Sequence, residues 1–131
     1  MKKYITILLL YAITPSTYSQ NIADSLHRSL RAATTDSTRY IVCRGLYNFF
    51  EEKNRDSALY YADQCASLAH KNNKPLNEAF CLDIRGYQLL HLGDYAASLE
   101  SILRAYKIID DVNDGNDESL SLSIYPSPGK S

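Results

Sequence analysis

Histidine is the residue type most often used to bind metals and to transfer protons near neutral pH, and this sequence has three. His27, His70 and His91 are each expected on a different helix, and none has a second histidine four residues away. A helical zinc site needs two histidines one turn apart, so the sequence predicts none. His70 falls near an expected helix C-terminus, where the helix dipole by itself favours a cation.

The three cysteines could bind zinc, form a disulfide or remain free thiols. Cys43 and Cys65 are 22 residues apart, and Cys65 and Cys81 are 16 apart, spacings that match no zinc motif. All three fall inside helical patterns, which favours buried free thiols that act as small apolar side chains. One disulfide, between Cys65 and Cys81, is the alternative. An odd number of cysteines leaves at least one thiol free or in an intermolecular bridge.

Two further patterns resemble ligand sites but are incomplete. The tail Gly129-Lys130-Ser131 matches the end of a phosphate-binding loop, yet Ile124 occupies the position where that loop needs its first glycine. The acidic residues between positions 110 and 118 lack the alternating ligands and closing glutamate of a calcium loop. The sequence therefore predicts a solvated acidic turn and no nucleotide site.

Composition narrows the possible functions. The 131 residues include 14 Lys and Arg against 15 Asp and Glu, a net charge of −1, which indicates no nucleic-acid partner. The length allows one domain at most, and 45% hydrophobic residues is ordinary for a soluble globular protein. With no catalytic, metal or cofactor set, the sequence predicts a protein that is not an enzyme and uses no cofactor.

The N-terminus is typical of a secretory signal. Lys2 and Lys3 precede an apolar run over residues 4–13, and the small residues Thr17 and Ser19 stand at the −3 and −1 positions of a signal-peptidase site. The prediction is a signal peptide over residues 1–19, with the mature protein in the periplasm or outside the cell. The run is about half the ~20 residues of a membrane-spanning helix, so no span is expected in the mature chain. An uncleaved anchor or a buried helix is the alternative.

Beyond residue 20 the apolar residues follow a helical period. A leading helix is predicted over residues 21–33, and two helical hairpins over about 38–70 and 76–111. Asp36 or Ser37, Asp56 and Asp94 are expected to cap helix N-termini, and Gly93 suits a left-handed C-terminal cap. Residues 113–131 are predicted to be disordered or a truncated third repeat, because their alternating leucines have no strand to pair with.

The two hairpins form an internal repeat. A shift of forty residues places Val42 on Leu82, Leu46 on Gly86 and Cys65 on Ala105. Few residues are identical, but residue class and helical phase persist. The second copy carries the more specific motif, Leu82-x-x-Arg85-Gly86-x-x-Leu89, then Gly93-Asp94-Tyr95, then Ser98-x-x-x-Ile102-x-x-Ala105.

That motif resembles the tetratricopeptide repeat (TPR), in which a glycine marks the place where two helices cross. Gly86 stands at this position, whereas Leu82 replaces the usual aromatic residue and Asp110 stands where a proline is expected. The resemblance implies an all-α fold of antiparallel helical hairpins stacked as a short α-solenoid over residues 20–112. Together with the signal peptide, it is similar to the periplasmic TPR regions of bacterial regulators, several of which precede a sensor kinase.

The resemblance also implies a function. In a TPR array the first helices of successive hairpins line a concave surface, and tyrosine suits such a surface because it combines apolar area with a polar tip. The sequence therefore predicts an exported scaffold that binds a protein or peptide there, with possible self-association through the open end of the repeats. The alternatives are a sensory fragment without its transmitter domain, and packing of these residues against neighbouring helices. The predicted partner-binding residues are Tyr40, Tyr47, Phe50, Phe80, Asp83, Tyr87 and His91.

Overall fold

A computed structural model describes the backbone of residues 18–124 and the side chains of residues 18–116. It has five helices: α1 over 18–32, α2 Asp36–Phe50, α3 Arg55–Lys71, α4 Pro75–Leu92 and α5 Tyr95–Ile124. No strand occurs in the described range, so the predicted all-α class is confirmed. The predicted signal peptide lies outside the described residues except for positions 18 and 19, which belong to α1.

Side-chain caps fix where three of the helices begin. Thr35 Oγ1 accepts from the Thr38 amide at 3.1 Å, Asn54 Oδ1 from the Ser57 amide at 3.0 Å, and Asp94 Oδ1 from the Ala97 amide at 3.1 Å. Each bond satisfies an amide that has no partner inside its helix. Asp94 is the predicted cap, but α2 and α3 begin one to two residues earlier than the sequence indicated, because threonine and asparagine serve equally well as caps.

The connection between α4 and α5 is the tight turn that the glycine predicted. Gly93 has a φ of 86°, and its amide donates to the carbonyls of Leu89 and Leu90. A left-handed residue at this position closes the end of α4, and glycine adopts that conformation without a steric penalty. Only one residue then separates the turn from α5, so the two helices run antiparallel.

Helix α5 is longer than predicted. The sequence indicated an end at Asp111 and irregular structure from residue 113, whereas α5 continues to Ile124. No proline occurs in this stretch before Pro126, and Gly115 costs only ~1 kcal/mol in a helix interior. A polar, glycine-containing segment therefore continues the helix instead of ending it. No helix among the described residues is long and apolar enough to cross a membrane.

The core lies between consecutive helices, with α2 against α3, α3 against α4 and α4 against α5. Helix α3 turns four small residues inward, each almost fully buried: Ala58, Ala62, Cys65 and Ala69. Small side chains let neighbouring helices approach closely, as the sequence pattern predicted. Helix α1 covers the outer side of the first hairpin through Leu26 and Leu30. The result is two stacked hairpins with a leading helix at one end.

Helices α4 and α5 cross at Gly86. A Cβ atom at this position would lie 2.6 Å from Ile102 Cγ1 and 3.2 Å from the Ser98 carbonyl oxygen. Ser98 Oγ donates to the Gly86 carbonyl at 2.7 Å, and Ser101 Oγ donates to the Leu82 carbonyl at 2.8 Å. The crossing glycine and Ser98 opposite it are the TPR features that the sequence motif indicated, whereas the motif left the position of Ser101 unspecified.

Candidate functional site

A buried amide joins the two hairpins. Gln88 on α4 is fully buried, and its Nε2 donates to Tyr47 Oη at 3.0 Å and to the Glu51 carbonyl at 3.3 Å. Arg55 Nη1 donates to Gln88 Oε1 at 3.1 Å. Burial raises the pKa of Tyr47, so its hydroxyl stays protonated. This network holds α4 against α2, and nothing in the sequence distinguished Gln88 from an exposed glutamine.

Of the predicted binding residues, the three on α2 lie wholly or partly inside the protein. Tyr47 is only 4% exposed. Tyr40 is half-buried, with its hydroxyl oxygen 3.7 Å from Cys81 Sγ, and burial raises its pKa to about 12. Phe50 stacks on the Tyr61 ring at a centroid distance of 5.9 Å. Because α1 and α4 flank α2 on both sides, most of the area of these rings faces other helices instead of a partner.

The four predicted residues on α4 are exposed and lie close together. Phe80 is 43% exposed and Tyr87 46% exposed, and Asp83 and His91 are also on the surface. The Tyr87 and His91 rings lie one turn apart, with centroids 4.4 Å from each other. The structure therefore leaves four of the seven predicted residues accessible to a partner, all on one face of α4.

Arg44 extends this surface onto α2. Its guanidinium carbon lies 4.3 Å from the centroid of the Phe80 ring, a cation–π contact between the first helices of the two hairpins. Ile41 and Asn48, at i−3 and i+4 from Arg44, lie on the same face of α2 and are exposed. Sequence reasoning missed these three residues, because a single arginine carries no signal without the ring that it contacts 36 residues later.

Apart from this surface, a groove of about 410 Å³ lies where α3, α4 and α5 meet. Its charged groups are largely paired with one another. Glu78 accepts from Arg104 at 2.9 Å and contacts His70 Nδ1 at 3.0 Å, and Arg85 forms an ion pair with Asp63. The contacts of His70 with Glu78 and of Asp63 with Arg85 join the first hairpin to the second, whereas the pair of Glu78 and Arg104 lies within the second hairpin. No group of His, Cys, Asp and Glu within the described residues could hold a metal ion.

All three cysteines are free and buried, which agrees with the first of the two predicted alternatives. Hydrogen bonding with the thiols of Cys43 and Cys81, together with burial, raises the pKa of Cys65. A thiol that is both buried and protonated reacts slowly, because the thiolate is the nucleophile.

Because all three thiols are buried, we expect an aromatic disulfide reagent to modify none of them within minutes in the folded protein. In denaturant all three should react. The reagent releases a chromophore for each thiol that it modifies. Its absorbance, followed with and without urea, gives the number of reactive thiols in the unfolded and in the folded protein. Rapid reaction of Cys65 in the native state would contradict the buried placement, and fewer than three thiols in denaturant would indicate a disulfide.

Comparison with protein families agrees with the stacked helical hairpins seen in the structure. The family model described as the SusR N-terminal TPR domain matches residues 18–108, well over half of the chain. Comparisons with curated proteins and with solved structures gave no match. Stacked repeats of this kind present extended surfaces that serve as protein-interaction scaffolds. The hairpins, the crossing at Gly86 and the family match together show that this chain belongs to the SusR N-terminal TPR domain family.

Proposed function

We propose that this chain binds an extended segment of a protein partner along the side of α2 and α4 that carries Arg44 and Phe80. The observation that carries the proposal is the contact between these two side chains, which joins the first helices of both hairpins in one accessible surface. TPR arrays use the first helices of successive hairpins in this way, and the family assignment supports it.

The spacing of the exposed rings indicates what the surface would bind. Phe80 and Tyr87 are seven residues apart, or about 10 Å along α4 at 1.5 Å per residue. An extended peptide advances about 3.3 Å per residue, so roughly three residues span the two rings. Arg44 beside Phe80 favours an acidic or carbonyl-rich group at that end. The expected ligand is a short extended segment with apolar side chains and an acidic residue.

The test is selection of peptides from a random displayed library on the immobilised chain, followed by affinity measurements on variants. Arg44→Ala and Phe80→Ala should each weaken the selected peptides about tenfold or more, the loss typical of an interface anchor. Tyr60→Ala is the matched control, because Tyr60 is a 57% exposed tyrosine on α3, away from this surface.

Circular dichroism should show the same helix content in all three variants, since each replaced side chain has exposed area. Peptides that bind Arg44→Ala and Phe80→Ala as tightly as the wild type would rule out this surface. Equal weakening by Tyr60→Ala would show that the substitutions act through stability and not through contact.

A second candidate is the sensory region of a signalling protein located in the periplasm. The supporting observations are the predicted signal peptide over residues 1–19 and a family described as an N-terminal domain. The two candidates differ in what the gene encodes after Ser131. An in-frame transmembrane segment with a transmitter domain favours the sensor, and a stop codon there favours a stand-alone scaffold.

A further inference from the structure

Three buried thiols meet where α2, α3 and α4 pack together. Cys43 lies on α2, Cys65 on α3 and Cys81 on α4, all in one cluster of buried residues and each exposed by 3% or less. Cys65 is the central one, because it hydrogen-bonds with the thiols of both others. A disulfide from Cys65 to either neighbour would join two helices, and only the bond to Cys81 would join the two hairpins.

Tyr40 brings the sulfur atoms of Cys65 and Cys81 to one place. Its hydroxyl oxygen lies 3.7 Å from Cys81 Sγ, and its carbonyl oxygen accepts from Cys65 Sγ at 4.0 Å. Burial raises the pKa of Tyr40 to about 12, so the hydroxyl keeps its proton and can donate to a Cys81 thiolate. The structure thus supplies a fixed hydrogen-bond donor for the ionised form of Cys81.

Cys81 is the more readily ionised of the two neighbours of Cys65. The hydrogen bond from the Cys65 thiol lowers the pKa of Cys81, and burial opposes this effect. Tyr40 and the positive charge of Arg44 also lower the pKa of Cys81. The pKa of Cys43 is lowered by the bond from Cys65 alone, against burial. Since the thiolate is the reactive form, Cys81 is expected to meet an oxidant first, with Cys65 beside it.

A small cavity leads from solvent to Tyr40. It has a volume of about 170 Å³, and Tyr40, Leu68 and Asn72 are among the residues that line it. Hydrogen peroxide is no larger than two water molecules, roughly 60 Å³, whereas an aromatic disulfide reagent is several times larger. An oxidant in this cavity is one side chain away from Cys81. The signal peptide predicted over residues 1–19 would bring the chain to an oxidising compartment.

We propose that hydrogen peroxide converts Cys65 and Cys81 into a disulfide that joins α3 of the first hairpin to α4 of the second. The Cys81 thiolate attacks one peroxide oxygen, the O–O bond breaks, and the hydroxide that leaves takes up the proton lost by Cys81. The Cys65 sulfur then attacks the sulfur of the Cys81 sulfenic acid, the S–O bond breaks, and water leaves with the Cys65 proton. Two thiols are oxidised by two electrons, and one peroxide becomes two water molecules.

The test treats the reduced, folded 131-residue chain with millimolar hydrogen peroxide for hours, alkylates the remaining thiols in denaturant and digests the chain with trypsin. Because Lys74 precedes Pro75 and is not cleaved, the cysteines fall into the peptides 40–44, 56–71 and 72–85. Mass spectrometry should find 56–71 joined to 72–85, with 40–44 alkylated. The oxidised chain should lose the mass of two hydrogen atoms, and a dithiol reductant should restore it. No peptide ligand enters this test, so its outcome is independent of the peptide-binding proposal.

Two variants test the roles of the individual thiols. Cys43→Ala is the matched control and should form the same link to the same extent. Cys65→Ala removes the thiol that completes the disulfide, so the Cys81 sulfenic acid should persist. Dimedone, a reagent for sulfenic acids, should then label Cys81 about tenfold more than in the wild type. Circular dichroism checks that both variants keep the helix content of the wild type.

A link between 40–44 and 56–71 overturns the proposal, as do three free thiols after peroxide treatment of the folded wild type. Loss of the link in a folded Cys43→Ala also overturns it, because Cys43 then takes part in the reaction. Dimedone on Cys43 instead of Cys81 in Cys65→Ala would contradict the assigned order of the two steps. The link in the wild type is mapped without any substitution, so a variant that fails to fold leaves that result decisive.

Discussion

Replacing Tyr47 with alanine is expected to lower the free energy of unfolding by about 3–4 kcal/mol, the cost of removing a buried ring. Tyr47 is almost fully buried, and its hydroxyl accepts from the buried Gln88 amide. The substitution therefore leaves a cavity between α2 and α4 and removes one partner of an amide that water cannot reach. The two hairpins should separate more easily as a result.

Tyr87→Ala is the matched control, because Tyr87 occupies the equivalent position of the second hairpin and is about half exposed. We expect it to change the unfolding free energy by about 1 kcal/mol or less. Urea denaturation followed by circular dichroism measures both values. Equal losses for the two variants would contradict the different burial of these tyrosines.

Replacing Gly86 with alanine is expected to lower the unfolding free energy by about 2 kcal/mol, although alanine is the better helix former. Overpacking a close helix crossing costs up to about 3 kcal/mol, and helix propensity returns only about 1 kcal/mol. The new methyl group would overlap Ile102 and approach the Ser98 carbonyl, which is backbone and cannot rotate away. Helices α4 and α5 must therefore move apart.

Gly45→Ala tests whether the crossing itself causes the loss. A Cβ atom at Gly45 would meet only the end of the Leu26 side chain, at 3.2 Å, and a leucine methyl group can shift. We expect this variant to be as stable as the wild type or up to about 1 kcal/mol more stable. Thermal and urea unfolding of Gly45→Ala and Gly86→Ala measure the change in unfolding free energy for each variant. If Gly45→Ala lowered the free energy of unfolding and Gly86→Ala left it unchanged, the close crossing of α4 and α5 at Gly86 would be contradicted.

Local patterns were sufficient to predict the architecture. The helical period and the cap residues depend on neighbours within a few positions, and the forty-residue repeat is visible by aligning the chain with itself. Together they predicted five helices in two hairpins with a leading helix. Gly86 was recognised as the crossing residue because the motif around it resembles a TPR, with the small residues Ser98 and Ala105 on the facing helix. The end of α5 was missed, since a polar stretch without proline carries no local stop signal strong enough to end a helix.

The binding surface depends on information that local patterns lack. Tyr47 and Tyr87 have the same residue type and the same place in the repeat, and the sequence predicted both in one groove. The structure buries one and exposes the other, because a second hairpin stacks on the first and none of the described helices stacks on the second. Arg44 beside Phe80 and Gln88 beside Tyr47 are likewise pairs that only the stacking brings together.

The sequence by itself thus determined the helices, their pairing and the family. Only the tertiary structure decided which aromatic side chains a partner can reach. The physical reason is that helix formation depends on hydrogen bonds and side chains within one or two turns of the chain. Exposure depends on which helix lies alongside in space, and identical residues at equivalent positions differ when one has a neighbour and the other has none.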